Sequence, residues 1–203
     1  LIESIGYWVL EEVLSRIASW KKRGDALSKL QVSVNVSARQ FHLPSFCSTV
    51  KGLLRKTGAS PRNLKVEITE SALAYDLELV EETLRTLRSM GIRISLDDFG
   101  TGYSSLGYLK RLSLDELKID QGFVRDILDD PNDAAIAETI LALALALKLS
   151  AVAEGVETKG QLERLVRMGC TRFQGYYFSR PLPAPEFEGL IEKSIKVKQR
   201  RAW

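Results

Sequence analysis

The sequence contains one histidine, two cysteines and no long apolar run. Cys47 and Cys170 do not form a CxxC pair, which argues against both a disulfide framework and a zinc cluster. His42 precedes Leu43 and Pro44 in a loop-like stretch, where we expect a surface residue rather than a catalytic base. Any catalytic site must therefore be built from carboxylates, amides and lysines.

Membrane-spanning and secretory segments are also missing from the sequence pattern. The longest purely apolar run covers residues 140–147, far short of the roughly 20 residues that cross a bilayer. Leu1 opens directly into a helical pattern, without a basic region and a cleavage site. We therefore expect a cytoplasmic protein without membrane contact in this chain.

The charge of the chain is unevenly distributed. The formal net charge is +3, but residues 193–203 hold five cations and no acid, so the remainder is slightly negative. A domain with this charge does not have the overall basic surface that is typical of proteins that bind a DNA or RNA polymer. We predict one domain over residues 1–192, which is long enough for a full core, and a basic C-terminal tail at 193–203 that is a solvated end or a linker.

Short β-rich runs alternate with helical patterns along the chain. The β-rich runs cover residues 32–36, 64–68, 92–96, 116–119, 150–153 and 172–177. The first twenty residues and segments 46–56, 77–89, 103–111, 133–148, 159–168 and 185–195 have helical periodicity. This order predicts an α/β fold with parallel strands joined by helical crossovers.

The helix predicted at 133–148, with Asp133 as its cap, is apolar nearly all the way round. It would be buried on more than one side, either between the domain and a partner subunit or as a plain core helix.

Each of the six predicted strands is followed by a polar residue near its carboxyl end. These residues are Asn35, Glu67, Asp97 with Asp98, Lys118, Glu154 and Gln174. In a parallel barrel the carboxyl ends of all strands meet at one face, where active sites of such barrels are built.

Oxygen ligands without histidine or cysteine favour Mg²⁺ or Mn²⁺, and the adjacent Asp97 and Asp98 could bridge two ions. Two such ions about 4 Å apart clamp the attacking and leaving oxygens of a displacement at phosphorus. Lys118 could steady the attacking water or the developing charge. Two alternatives stay open on these residues: Asp97-Asp98 as turn chemistry before Gly100, and Lys118 as the nucleophile or proton acceptor of a barrel aldolase or enolase-like enzyme.

Six segments, in order, resemble the EAL family of cyclic di-GMP phosphodiesterases. They are Asn35-Val36-Ser37-Ala38-Arg39-Gln40-Phe41, Glu67-Ile68-Thr69-Glu70-Ser71, residues 97–106, Leu117-Lys118-Ile119-Asp120, Ala153-Glu154-Gly155-Val156-Glu157-Thr158 and Gln174-Gly175-Tyr176. The resemblance implies a TIM-like (β/α)8 barrel, two Mg²⁺ or Mn²⁺ ions, bacterial second-messenger signalling, and hydrolysis of cyclic di-GMP to linear pGpG. It also implies a homodimer and a possible sensor or cyclase domain upstream.

The resemblance further assigns roles by position. It implies Asn35, Glu67, Asp97 and Asp98 as metal ligands. It implies Lys118 at the catalytic water, Glu154 as a general base or metal ligand, and Glu157 and Gln174 as supporting hydrogen-bonding groups. Substrate contacts are expected from Gln174, Phe178 and Pro181. A regulatory loop is expected from Phe99, Gly100, Thr101 and Gly102, anchored by Glu70.

One expected element is missing. No equivalent of the family's Glu-x-Leu-x-Arg motif, which lies near the end of an early strand, precedes Asn35, because Glu11-Glu12-Val13 lies inside the first helical pattern. A metal ligand, a phosphate-binding arginine and two barrel strands therefore have no counterpart in this sequence. We expect the protein to continue upstream of Leu1, or a partner to complete the sheet, and we expect activity to require that glutamate. The alternative function is an inactive EAL module that binds cyclic di-GMP or a protein without hydrolysis.

Overall fold

The computed structural model describes residues 2–73, 76–100 and 106–200, with side chains omitted at 106, 108 and 195–200. The strands are β1 (Val32–Asn35), β2 (Leu64–Thr69), β3 (Arg93–Phe99), β4 (Glu116–Ile119) and β5 (Ser150–Ala153). The helices are α1 (Ile2–Arg23), α2 (Ala38–Phe41), α3 (Phe46–Thr57), α4 (Leu77–Ser89), α5 (Leu106–Leu109), α6 (Gln121–Arg125), α7 (Pro131–Ala146), α8 (Lys159–Arg167) and α9 (Ala184–Arg200).

The strands form one parallel sheet in the sequential order β1-β2-β3-β4-β5. Helices follow the strands as crossovers, which is the arrangement of a TIM-like α/β barrel that does not close within the described residues. The α/β class and the parallel sheet are therefore confirmed. Among the described helices, none combines the length and the apolarity needed to cross a membrane.

The sixth predicted strand is wrong as a full strand. Residues 172–177 contribute a single parallel bridge, between Phe173 and Ala153. The chain turns after Gln174, where Gly175 packs against the loop that follows β5. A Cβ added at residue 175 would lie 2.2 Å from the Val156 carbonyl oxygen. Only glycine allows that approach.

The apolar core lies between the outer face of the sheet and the helices. Fully buried side chains on this face include Val66, Ile68, Ile94, Leu96, Leu117 and Ile119. Because side chains alternate between the two faces of a strand, the neighbouring residues point into the barrel interior. Those interior residues are Glu67, Ser95, Asp97, Glu116 and Lys118, all buried and all polar.

Helix starts follow ordinary capping chemistry. Asp76 accepts hydrogen bonds from the backbone of Glu78 and Leu79 at the start of α4, and Thr158 with Gln161 forms a capping box on α8. The predicted cap of the Ala-rich helix is wrong: α7 begins two residues earlier, with Asp130 as its cap and Pro131 at its first position. Proline is favoured there because it needs no hydrogen-bond partner for its nitrogen. At the other end of the chain, the backbone of α9 continues past residue 193.

Candidate active site

Four of the polar residues predicted from strand ends meet at the carboxyl face of the sheet. Glu67 lies in β2, Asp97 in β3 and Lys118 in β4, and Glu154 directly follows β5. The first three are at most 9% exposed. The parallel pairing brings these strand ends side by side, so residues far apart in sequence share one small volume.

Lys118 is the centre of this group. Its Nζ lies 2.6 Å from Glu67 Oε2, 2.9 Å from Asp97 Oδ1 and 2.8 Å from Glu154 Oε1. All three protons of the ammonium group therefore have a carboxylate acceptor, as a buried lysine requires.

The buried ion cluster changes the ionisation of its members. Burial by itself lowers the pKa of Lys118, but the hydrogen bonds to Glu154, Glu67 and Asp97 more than offset this and raise it. Burial raises the pKa of Glu154 to about 7, with Lys118 opposing the shift and the charges of Asp97 and Glu67 adding to it. One ammonium faces three carboxylates, and this excess of negative charge favours the protonated form of Glu154.

A second grouping joins Asp98 to this cluster. Asp97, Asp98 and Glu154 each place one carboxylate oxygen within 4.8 Å of the others. Asp98 has a positive φ of 54°, so its side chain does not follow the regular alternation of inward and outward side chains along β3. Its backbone N–H donates to Asp97 Oδ1 at 3.0 Å, which links the two carboxylate-bearing residues directly.

The donor chemistry of this group fits a hard divalent cation. Three carboxylate oxygens converge, with no nitrogen or sulfur donor among them, which is the ligand set that Mg²⁺ and Mn²⁺ prefer. Burial, together with the charges of Asp97 and Asp120, raises the pKa of Asp98. A cation would relieve this crowding of negative charge.

Asn35 and Gln174 lie at opposite edges of the sheet, Asn35 on β1 and Gln174 beside β5. Asn35 ends β1, is exposed, and pairs in register with Glu67. The Gln174 backbone N–H donates to the Ala153 carbonyl at 2.8 Å, and its carbonyl accepts from Val156, so it lies beside the Glu154 loop. Glu157 is exposed in that loop, and its backbone N–H donates to Gln161 Oε1 at 2.9 Å.

The predicted substrate contacts lie on an exposed aromatic segment after Gln174. Phe178 is 52% exposed and stacks on Phe173, with ring centroids 6.4 Å apart. The rings of Tyr177 and Phe178 make an edge-to-face contact, with centroids 5.4 Å apart. Pro181, three residues after Phe178, is exposed. The segment presents flat aromatic rings to the solvent.

The predicted regulatory loop is only partly described. Glu70 is buried in a single turn of 3-10 helix directly after β2, and Phe99 is buried at the end of β3. Gly100 is left-handed, with φ of 100°. Thr101 and Gly102 lie outside the described residues, so the loop role stays a prediction.

Asp120 was given no role by the sequence reasoning. It directly follows β4, accepts a hydrogen bond from the Gly122 backbone at 2.8 Å, and also hydrogen-bonds the carboxyl group of Asp98. The signal was available, because Asp120 is one more carboxylate at the carboxyl end of a strand.

Comparison with known proteins identifies the family of the chain. The EAL domain family matches residues 1–181. The bifunctional diguanylate cyclase/cyclic di-GMP phosphodiesterase MucR of Pseudomonas aeruginosa is 45% identical over 92% of this chain. The cyclic di-GMP phosphodiesterase NbdA of the same organism is 42% identical over 94%. The chain spans 27% of MucR and 24% of NbdA, about a quarter of each relative.

Solved structures agree in fold. The PaMucR phosphodiesterase in complex with c-di-GMP has a TM-score of 0.87 at 43% identity, and the match covers 91% of this chain and 74% of that one. The EAL domain of Mycobacterium smegmatis DcpA has a TM-score of 0.89 at 37% identity, with 95% and 86% covered. The family match extends from the first helix to the aromatic segment and includes every residue of the Lys118 cluster, and the chain therefore belongs to the EAL domain family.

Proposed function

We propose that this chain is the catalytic part of a Mg²⁺- or Mn²⁺-dependent phosphodiesterase that hydrolyses cyclic di-GMP to linear pGpG. The observation that carries the proposal is the convergence of Asp97, Asp98 and Glu154 oxygens within 4.8 Å beside the Lys118 ammonium. Relatives with this fold are named as cyclic di-GMP phosphodiesterases, and one is solved with c-di-GMP bound.

The roles follow from position and charge. Asn35, Glu67, Asp97 and Asp98 would hold the cations, with Asp97 between them. Two bound cations would supply positive charge to the phosphodiester oxygens during displacement at phosphorus. Glu154, whose carboxylate converges with those of Asp97 and Asp98, could accept a proton from the attacking water. Lys118 would orient that water, and Glu157 and Gln174 would support the loop that carries Glu154.

Substrate binding would use the aromatic segment. A guanine base has a flat face that stacks on exposed aromatic rings, and the exposed ring of Phe178 is stacked on Phe173. Pro181 would extend this apolar surface, and Gln174 would donate or accept hydrogen bonds at its edge.

The chemistry of Lys118 argues against the Schiff-base alternative. An amine must lose its proton to attack a carbonyl group. Lys118 is held charged by three carboxylates, which raise its pKa from the ordinary value. Carbonyl chemistry at this residue would have to break all three ion pairs first.

Helix α7 supports a homodimer as the assembled form. Its sequence is apolar nearly all the way round. Ile136, Ile140 and Leu143 line a groove with Phe99 and Gly100 at the end of β3. A second subunit on this face would reach the segment that leads from Asp98 to the predicted regulatory loop.

Chromatography of nucleotides after incubation with cyclic di-GMP and Mn²⁺ tests the proposed reaction. With the family's amino-terminal Glu-x-Leu-x-Arg segment supplied ahead of residue 1, we expect pGpG from the wild-type protein, none in EDTA, and none from Asp97→Ala. The control is Asp129→Ala, which removes an exposed acid away from the cluster and should retain activity. Turnover by Asp97→Ala would overturn the proposal, and tight binding of cyclic di-GMP by the wild type without any pGpG would identify a receptor instead.

A further inference from the structure

A second polar cluster lies inside the barrel, at the amino end of the sheet. Its centre is Glu116, the first residue of β4, which is 2% exposed. Oε1 of Glu116 accepts hydrogen bonds from Lys65 Nζ and, at 3.0 Å, from Ser95 Oγ. Oε2 accepts from Ser150 Oγ at 3.2 Å and from Arg172 Nη1 at 3.0 Å. One carboxylate thus joins four other segments of the sheet; we call this group the lower layer.

The lower layer lies directly beneath the Lys118 cluster. Residues two or four apart on a strand point to the same face, so each member is followed on its own segment by a residue of the candidate site. The pairs are Lys65 with Glu67, Ser95 with Asp97, Glu116 with Lys118, Ser150 with Glu154, and Arg172 with Gln174. At about 3.3 Å per residue, two positions separate the layers by roughly 7 Å.

The two layers have opposite charge. The upper layer surrounds one ammonium, Lys118, with three carboxylates and has a net charge of −2. The lower layer surrounds one carboxylate with two cations and has a net charge of +1. Burial by itself raises the pKa of Glu116, but hydrogen bonds from Lys65, Ser95 and Ser150 outweigh it and lower the pKa, so Glu116 is ionised at neutral pH.

We propose that Glu116 is a positioning residue that sets the divalent-cation affinity of the site above it, by offsetting the charges of Lys65 and Arg172. The inference rests on the proposed function, since it takes the upper layer to be a cation site. Glu116 and Lys65 are largely buried, so at roughly 7 Å their charges are only partly screened from a bound cation, whereas the half-exposed Arg172 is screened more strongly. Without Glu116, two cations would face the site from below.

Two single substitutions give opposite expectations, although both remove hydrogen bonds of the same cluster. Glu116→Gln removes a negative charge and should weaken Mn²⁺ binding by about three- to tenfold. Arg172→Gln removes a positive charge and should strengthen Mn²⁺ binding by about two- to fivefold. A role in strand packing alone would instead weaken binding in both variants, or change it in neither.

Calorimetric titration of the purified chain with Mn²⁺ measures these affinities, and thermal unfolding reports the fold of each variant. Arg167→Gln is the matched control, because it removes an exposed cation from α8 outside the barrel and should leave Mn²⁺ affinity unchanged. Arg172 is half exposed, so we expect Arg172→Gln to fold. This variant therefore tests the direction of the change in Mn²⁺ affinity even if Glu116→Gln does not fold.

Opposite shifts, in the directions stated, support the inference. Shifts of the same sign, or no shift in Arg172→Gln, overturn it while leaving the proposed function intact. Failure of the wild-type chain to bind Mn²⁺ would overturn both the inference and the proposed cation site.

Discussion

Lys118 Nζ lies 2.6 Å from Glu67 Oε2, and both side chains are almost fully buried, at 4% and 7% exposure. The pair joins β4 to β2 across the interior face of β3, where Asp97 supplies a second acceptor to the same ammonium. A buried ion pair of this kind stabilises the fold only as long as every charge in it keeps its partners. The arrangement therefore ties stability to the same residues that would perform catalysis.

Lys118→Met should destabilise the metal-free protein. The substitution leaves Glu67, Asp97 and Glu154 buried without a counter-charge, and removal of one partner from such a cluster costs about 3 kcal/mol. Urea unfolding in EDTA measures the loss, and added Mn²⁺ should restore part of it by supplying positive charge. Lys51→Met, at an exposed position of α3, is the control. A loss in Lys118→Met no larger than in the control would contradict the prediction.

The stability of the metal-free protein should depend on pH through Glu154. Its pKa is about 7 in the folded chain against an ordinary value of 4.5, so between these values the folded state binds more protons than the unfolded state. The contribution of this group is therefore fully present below about pH 4.5 and is lost as pH rises through 7.

Urea unfolding in EDTA at pH 5 and at pH 8 measures this effect. Glu154→Gln removes the titrating group, so its stability should fall less between the two pH values than that of the wild type, by on the order of 2 kcal/mol. Parallel pH profiles of the two proteins would show that Glu154 does not titrate in this range.

Phe178→Ala should weaken substrate binding more than it slows the chemical step. Stacking of a base on an aromatic ring contributes about 1–3 kcal/mol, so we expect KM for cyclic di-GMP to rise about tenfold or more, with kcat changed much less. Steady-state kinetics with Mn²⁺ separate the two constants. Trp8→Ala is the control, because Trp8 is 66% exposed on α1 and belongs to no part of the proposed site. An unchanged KM in Phe178→Ala would remove this ring from the substrate site.

Glu188→Ala should loosen the C-terminal helix α9. Trp20 Nε1 donates to Glu188 Oε1 at 2.8 Å, and Arg23 Nη1 donates to Glu188 Oε2 at 3.0 Å, which ties α9 to the end of α1. Loss of both bonds should lower the free energy of unfolding by about 1–3 kcal/mol. Hydrogen exchange of the α9 amides should rise in the same variant, and Lys193→Ala, exposed on the same helix, should change neither quantity. Unaltered exchange in Glu188→Ala would show that other contacts, among them the Arg23–Glu192 ion pair, are enough to hold α9.

Much of the site was predictable because parallel strands put their carboxyl ends on one face. That rule is enough to bring Glu67, Asp97, Lys118 and Glu154 together from the sequence pattern. It does not give side-chain distances, so it could not predict that Lys118 contacts all three carboxylates at once. The positive φ of Asp98, which turns it toward Glu154, also has no sequence signature beyond the tolerance of aspartate for that conformation.

The errors of sequence reasoning have local physical causes. The cap of α7 was placed at Asp133 because the apolar pattern starts there, but Pro131 can open a helix and Asp130 precedes it. The sixth strand was predicted from an aromatic-rich run, yet the close approach of Gly175 to Val156 bends the chain after one bridge. The start of α7 and the bend at Gly175 both depend on local contacts, and hydrophobic periodicity does not predict such contacts.

The sequence by itself determined the alternation of strands and helices, the polar residue at the end of each strand and the restriction to oxygen ligands. Periodicity and residue chemistry are local properties, so they can be read without coordinates. Only the tertiary structure decided that Lys118 contacts all three carboxylates, that Asp120 lies near Asp98, and that Glu116 holds a lower layer of opposite charge. These relationships depend on which strands are neighbours and in which register, and such long-range pairing is set by the packing of the whole domain.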